Sequence, residues 1–123
     1  MNFFKALFHK EKRKEIPPMP PWSEIVEIMY DKSLGSFVDE VVSVVYSGDR
    51  TMRYVILKDK KGHFTYQLET IYQFYEYEWQ YICSGADALP AMWKSVRGSG
   101  LFAYETDLLK EMRSEPEYKQ YFK

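Results

Sequence analysis

A single cysteine, Cys83, cannot form an internal disulfide, and one cysteine with two histidines (His9 and His63) is too small a set for a structural zinc site. A reducing, cytoplasmic setting follows as the expectation. No apolar run approaches the roughly 18 residues that would span a bilayer, and the basic residues near the N-terminus come after its apolar stretch, the reverse of a secretory signal. Export by the common route is therefore not expected. Catalytic equipment is scarce as well. One histidine stands in the N-terminal segment and the other beside an expected hairpin turn, so the sequence shows no recognisable His dyad or Cys, His and Asp constellation. GSG at residues 98–100 lacks the lysine and the further glycine of a phosphate-cradling loop. No catalytic residue, cofactor or metal is expected, and the chain reads as a non-enzyme.

Concentrated basic charge is also missing from the body of the chain. Residues 1–15 carry five bases (Lys5, Lys10, Lys12, Arg13, Lys14) against two acids, whereas the remainder is net acidic, and the whole sums to -1. Phosphate binding needs a basic face, so nucleic acid is not the expected partner.

Aromatic residues are what the chain has in excess: 18% of it, with 11 tyrosines. A tyrosine joins a large apolar face to a hydroxyl that can end in water or in a hydrogen bond, which suits half-buried sheet faces and interfaces alike. With 46% hydrophobic and 28% charged residues the composition is that of an ordinary globular domain.

The chain divides into a short amphipathic basic segment (1–15), a proline-rich linker (16–21) and one α+β domain (22–123). In the first segment Phe3, Phe4, Leu7 and Phe8 fall at helical spacing ahead of the basic run. They form either a short helix packed on the domain or a foot for weak contact with a membrane surface or a partner, which would make the protein membrane-peripheral. PPMPP, residues 17–21, cannot continue a helix and reads as a stiff spacer or, less plainly, a proline-rich ligand. Ile25, Ile28 and Met29 then share one face of a helix expected over 24–33, with Ser23 as its N-cap and Gly35 as its stop.

Three runs follow that read as strands: FVDEVVSVVY, MRYVILKD and HFTYQLETIYQF, separated by glycine-bearing polar turns too short for anything but antiparallel pairing. The third run continues as YEYEWQYIC. Phe64, Tyr66, Leu68, Tyr72 and Phe74 keep an even-numbered alternation, while Tyr75, Tyr77, Trp79, Tyr81 and Cys83 keep an odd-numbered one. The phase slip predicts a hairpin tip at 74–77 and a fourth strand behind it, with Tyr75, Glu76, Tyr77 and Glu78 projecting at the apex. SGADALPAMW then reads as a loop, RGSG as a flexible joint, and Tyr104, Leu108, Leu109 and Met112 as a helical stripe. SEPEYKQYF reads as a last short helix with a capping box from Ser114 to Glu117. The predicted architecture is a four-stranded antiparallel meander with an N-terminal helix and two short C-terminal helices packed on it.

Binding surface is what this leaves, for a protein partner or, as the alternative, for a small molecule in a pocket under the fourth strand and the LPAMW loop. Exposed rings beside carboxylates suit a basic protein partner, the rings supplying contact area and the acids steering approach. The candidate partner-binding residues are Tyr75, Glu76, Tyr77, Glu78, Asp87, Met92 and Trp93, although Met92 and Trp93 also fit as a plug at the end of the sheet. The early helix bearing Trp22, the compact meander, the GADALPAMW loop (85–93) and the closing PEYKQYF (116–122) resemble small uncharacterised cytosolic proteins of Gram-positive bacteria, some of which look like immunity proteins for polymorphic toxins. That resemblance spans residues 22–123. It implies an inhibitor that covers a basic toxin domain, and it carries over no site residue.

Overall fold

The computed structural model describes residues 17–82 and 88–122. The segment with Phe3, Phe4, Leu7 and Phe8 lies outside the described residues, as do Cys83 and Asp87.

Four strands form one antiparallel sheet in the order β1-β2-β3-β4: β1 Glu40–Tyr46, β2 Met52–Lys58, β3 Phe64–Gln73 and β4 Ala91–Gly98. Turn chemistry sets the first two reversals. At the β1–β2 turn the Asp49 carboxylate accepts hydrogen bonds from the Thr51 amide and from the Ser47 and Thr51 hydroxyls, and Arg50 takes a left-handed conformation. At the β2–β3 turn Asp59 accepts from the amides of Lys61 and His63, and Gly62, at φ 85°, occupies the position that only glycine adopts freely.

Apolar residues on both faces of the central strands call for cover on both sides, and both sides have it. Helix α1 (Trp22–Met29) lies on one face, where Ile25 and Met29 pack with Ile71, Ala91 and Trp93. Helices α3 (Glu105–Arg113) and α4 (Pro116–Tyr121) lie on the other, where Leu108, Met112 and Phe122 pack with Tyr54, Ile56, Tyr66 and Leu68. Each Leu, Ile, Met or Phe among them, once fully buried, contributes about 1.5–3 kcal/mol. The α+β reading, with its N-terminal helix and two short C-terminal helices, is the fold observed.

Several boundaries and one whole element differ from expectation. Helix α1 starts at Trp22, not at residue 24. The Pro21 carbonyl accepts from the amides of Glu24 and Ile25, so Ser23 falls inside the first turn and caps nothing. The helix ends at Met29 because Tyr30 is extended and Asp31 is left-handed. Ser114 is likewise not an N-cap. Its hydroxyl donates to the Glu111 carbonyl at the end of α3, and the residue preceding α4 is Glu115. The expected flexible joint at 98–100 is tied down, since Ser99 exchanges two hydrogen bonds with the backbone of Tyr66.

The largest correction concerns residues 75–82, which do not form the fourth strand. Residues Glu76–Ile82 form a helix, α2, and the fourth strand is Ala91–Gly98, where a loop and joint were expected. Alternating rings imitate a strand, but in α2 they separate by helical geometry: Trp79 turns inward and is buried, while Tyr77 and Tyr81 stay exposed. β4 is an edge strand that buries only Ala91 and Trp93, so its apolar pattern is too brief to announce it.

Candidate functional site

The end of β3, helix α2 and the start of β4 bring together the site. Helix α2 begins where Gln73 leaves the sheet. Glu76 and Glu78 stand in its first turn, where acids favour the helix dipole. The Glu78 carboxylate reaches back to accept the Tyr75 amide at 2.8 Å, which is the returning arm of a capping box. The same oxygen accepts the Tyr72 hydroxyl at 3.1 Å, joining the helix to the sheet. Inside the helix, buried Trp79 donates its indole N–H to the Pro17 carbonyl at 2.7 Å. Met19 packs with Ile25 and Met29. Residues 17–19 thus lie along the domain.

Around that helix start the rings form a contiguous cluster. Tyr72 meets Phe74 edge-on at 5.9 Å and Tyr75 edge-on at 6.2 Å, and Tyr75 stacks on Tyr77 at 5.7 Å with an interplanar angle of 7°. Edge-to-face and stacked pairs at these distances let the negative ring faces avoid one another. Tyr75 and Tyr77 remain 61% and 64% exposed, and no core contact requires them. Met92 pairs directly with Tyr72 across β3 and β4 and is 44% exposed. Lys94, two residues along the same face of β4, places its Nζ 5.5 Å from the centroid of the Tyr72 ring. Burial, and then the hydrogen bond to Glu78, raises the Tyr72 phenol above its ordinary pKa, so it stays protonated and donating.

The sequence-predicted residues therefore separate. Tyr75, Glu76 and Tyr77 are exposed together at the start of α2, and Met92 is exposed on β4 opposite Tyr72. Glu78 is at that helix start too, but as the ligand of a backbone amide and a phenol. Trp93 is not at the surface. It is 6% exposed, donates its indole N–H to the Met29 carbonyl at 2.9 Å, and lies beneath the Arg53 guanidinium at 4.1 Å, so it belongs to the core beside α1. Tyr72 and Lys94 had not been singled out. Their only sequence signal is parity: both occupy even positions of runs that become neighbouring strands, and nothing in the sequence announces that pairing.

Chemically, this is a surface of polarisable ring faces, a thioether and carboxylates, with one ammonium already against a ring. Among the described residues no group of three His, Cys, Asp or Glu side chains is placed to hold a metal ion, and no helix is long and apolar enough to cross a membrane. No family model, curated protein or solved structure matches the chain.

Proposed function

We propose that this chain is a non-enzymatic protein-binding domain whose contact surface is the ring cluster of Tyr72, Tyr75 and Tyr77 with Met92, and whose partner presents a basic surface. The observation that carries the proposal is the exposure of Tyr75 and Tyr77, two rings stacked on one another at the start of α2 that the core does not use. Aromatic side chains bury large area with little rotamer entropy to lose, which is why tyrosine is enriched among the residues that dominate interfaces. Glu76, in the same turn, supplies charge of the sign that steers a basic partner. An immunity-type inhibitor acting in the cytoplasm on a toxin domain is the form of this function that the sequence resemblance suggests.

The test compares the wild-type chain with Tyr75→Ala/Tyr77→Ala, both first shown to melt alike, for proteins retained from a lysate of the source cell. The expected result is a basic protein held by the wild type and released by the double variant. Identical retention by the two would refute this surface as the contact site.

A further inference from the structure

Among the described residues Lys94 is the one cation resting on the cluster, and its position suggests what the cluster recognises. Its side chain projects from an edge strand, where solvent is freely available to an ammonium, yet its Nζ lies over the Tyr72 ring within the roughly 6 Å at which a cation is attracted by the ring quadrupole. Tyr72 stands edge-on to Tyr75, so two ring planes meet nearly at right angles, at 81°. A third ring lies parallel to the second. Rings at right angles with carboxylates at their rim are the elements from which cation sites are built: the faces supply negative potential and the acids supply net charge. Helix α2 carries Glu76 and Glu78 in its first turn and no basic residue in its last.

We propose that the Tyr72, Tyr75 and Tyr77 cluster is a cation-recognition site for the guanidinium or ammonium side chains of a basic protein, and that Lys94 is its resident occupant, which an incoming cation must displace or oppose. The proposal rests on the protein-binding reading above and specifies the chemistry of the anchor. It makes Lys94 a competitor built into the fold, and so it predicts a gain in binding from the loss of a surface residue. A purely apolar contact surface predicts no such gain.

The experiment titrates a hexa-arginine peptide into the full chain and follows amide and tyrosine ring resonances. Hexaglutamate and hexacitrulline serve as the opposite-charge and uncharged probes. Binding is expected to shift resonances of residues 72–78 and 92–94, and only with the arginine peptide. Lys94→Ala should tighten it about two- to fivefold, the ratio that corresponds to one exposed cation–π contact. Lys110→Ala, the same change of charge placed on α3, should leave it unchanged. Tyr75→Leu and Tyr77→Leu, which keep charge and apolar bulk, should each weaken it by a similar ratio. Equal affinity in Lys94→Ala and wild type, or equal tightening by Lys110→Ala, overturns the proposal. So does arginine-peptide binding that the two leucine variants retain in full. Should a tyrosine variant fail to fold, the comparison of Lys94→Ala with Lys110→Ala decides alone. Because the peptide stands in for the partner, peptide binding that depends on Lys94 with no protein retained from lysate would keep the cation site and discard the protein-binding function. The reverse pair of results would discard the cation site alone.

Discussion

Arg53 and Glu69 face one another across β2 and β3, both buried, with the guanidinium Nε donating to the carboxylate at 2.8 Å. Arg53 also donates to the Lys32 carbonyl and stacks on Trp93, and Gln67 donates to the second oxygen of Glu69. Arg53 Nη2 is buried without a partner among the described residues. A pair desolvated to this degree is stabilising only while it stays complete, because removing one member strands a buried charge. Glu69→Ala should therefore lower unfolding stability by about 3–5 kcal/mol in urea titration. The double change Arg53→Met/Glu69→Leu, which removes both charges and keeps volume, should cost much less. A double variant as unstable as the single one would mean that the geometry of the network matters more than charge balance. Stabilisation here has nothing to do with the exposed rings, and the two sets of residues separate cleanly by mutation.

Helix α2 is the element on which the site depends, and at seven residues it is too short to persist on its own propensity. It is held at one side by buried Trp79 and at its start by Glu78, whose single oxygen accepts both the Tyr75 amide and the Tyr72 hydroxyl. Glu78→Ala should cost about 0.5–2 kcal/mol, the range for loss of a helix cap. The loss should be local: amide exchange should accelerate at residues 75–79 while β2 and β3 keep their protection. Global unfolding at the same rate would show instead that α2 and the sheet open together. Any loss of partner binding in a Glu78 variant thus reports displaced tyrosines as well as a lost charge, whereas Glu76→Gln tests charge alone.

Over the whole molecule, ionisable groups clamp the C-terminal helices to the sheet, and they set how stability depends on pH. Glu115 accepts the hydroxyls of Tyr54 and Tyr66 at 2.7 Å each, and Arg97 pairs with Glu115 and Glu117. Burial first, and then the bond to Glu115, pushes both phenols well above their ordinary 10.0. An unfolded tyrosine loses its proton near that value while the folded one keeps it. Their contribution is therefore complete below about pH 10 and is lost as pH rises beyond it. At the other end, the hydrogen bond from Arg97 holds Glu117 below its ordinary 4.5. The stability this adds is complete above that value and is lost as acid protonates the folded carboxylate. Denaturant titrations across pH should thus show a plateau at neutral pH and a decline on each side. Tyr54→Phe/Tyr66→Phe should flatten the alkaline decline, and Glu117→Gln should reduce the acid one, to which Asp49 and Asp59, held low by their turn hydrogen bonds, also contribute. An alkaline limb unchanged in the double phenylalanine variant would assign it to other groups.

Much of this fold was legible in the sequence because it depends on local periodicity. Ile25 and Met29 on one helical face, Val42, Val44 and Tyr46 at alternate positions of β1, the Asp and Gly turns, and the stripe of Leu108 and Met112 each declare their element within a few residues. The short spacing between the first three strands leaves antiparallel pairing as their only geometry. What tertiary structure decided is the identity of the elements at 76–82 and 91–98. An alternation of rings is compatible with a strand and, over seven residues, with a helix that buries one ring in three. The choice fell to Trp79, which finds the Pro17 carbonyl sixty-two residues away, and to β4, which takes the sheet edge that residues 75–83 would otherwise have filled. Tyr75 and Tyr77 were expected at the surface and are there, but at a helix start and not a hairpin tip. Local pattern can assign an element to its own residues; the company those residues keep depends on which distant side chain wins the remaining buried place, and only the assembled chain settles that competition.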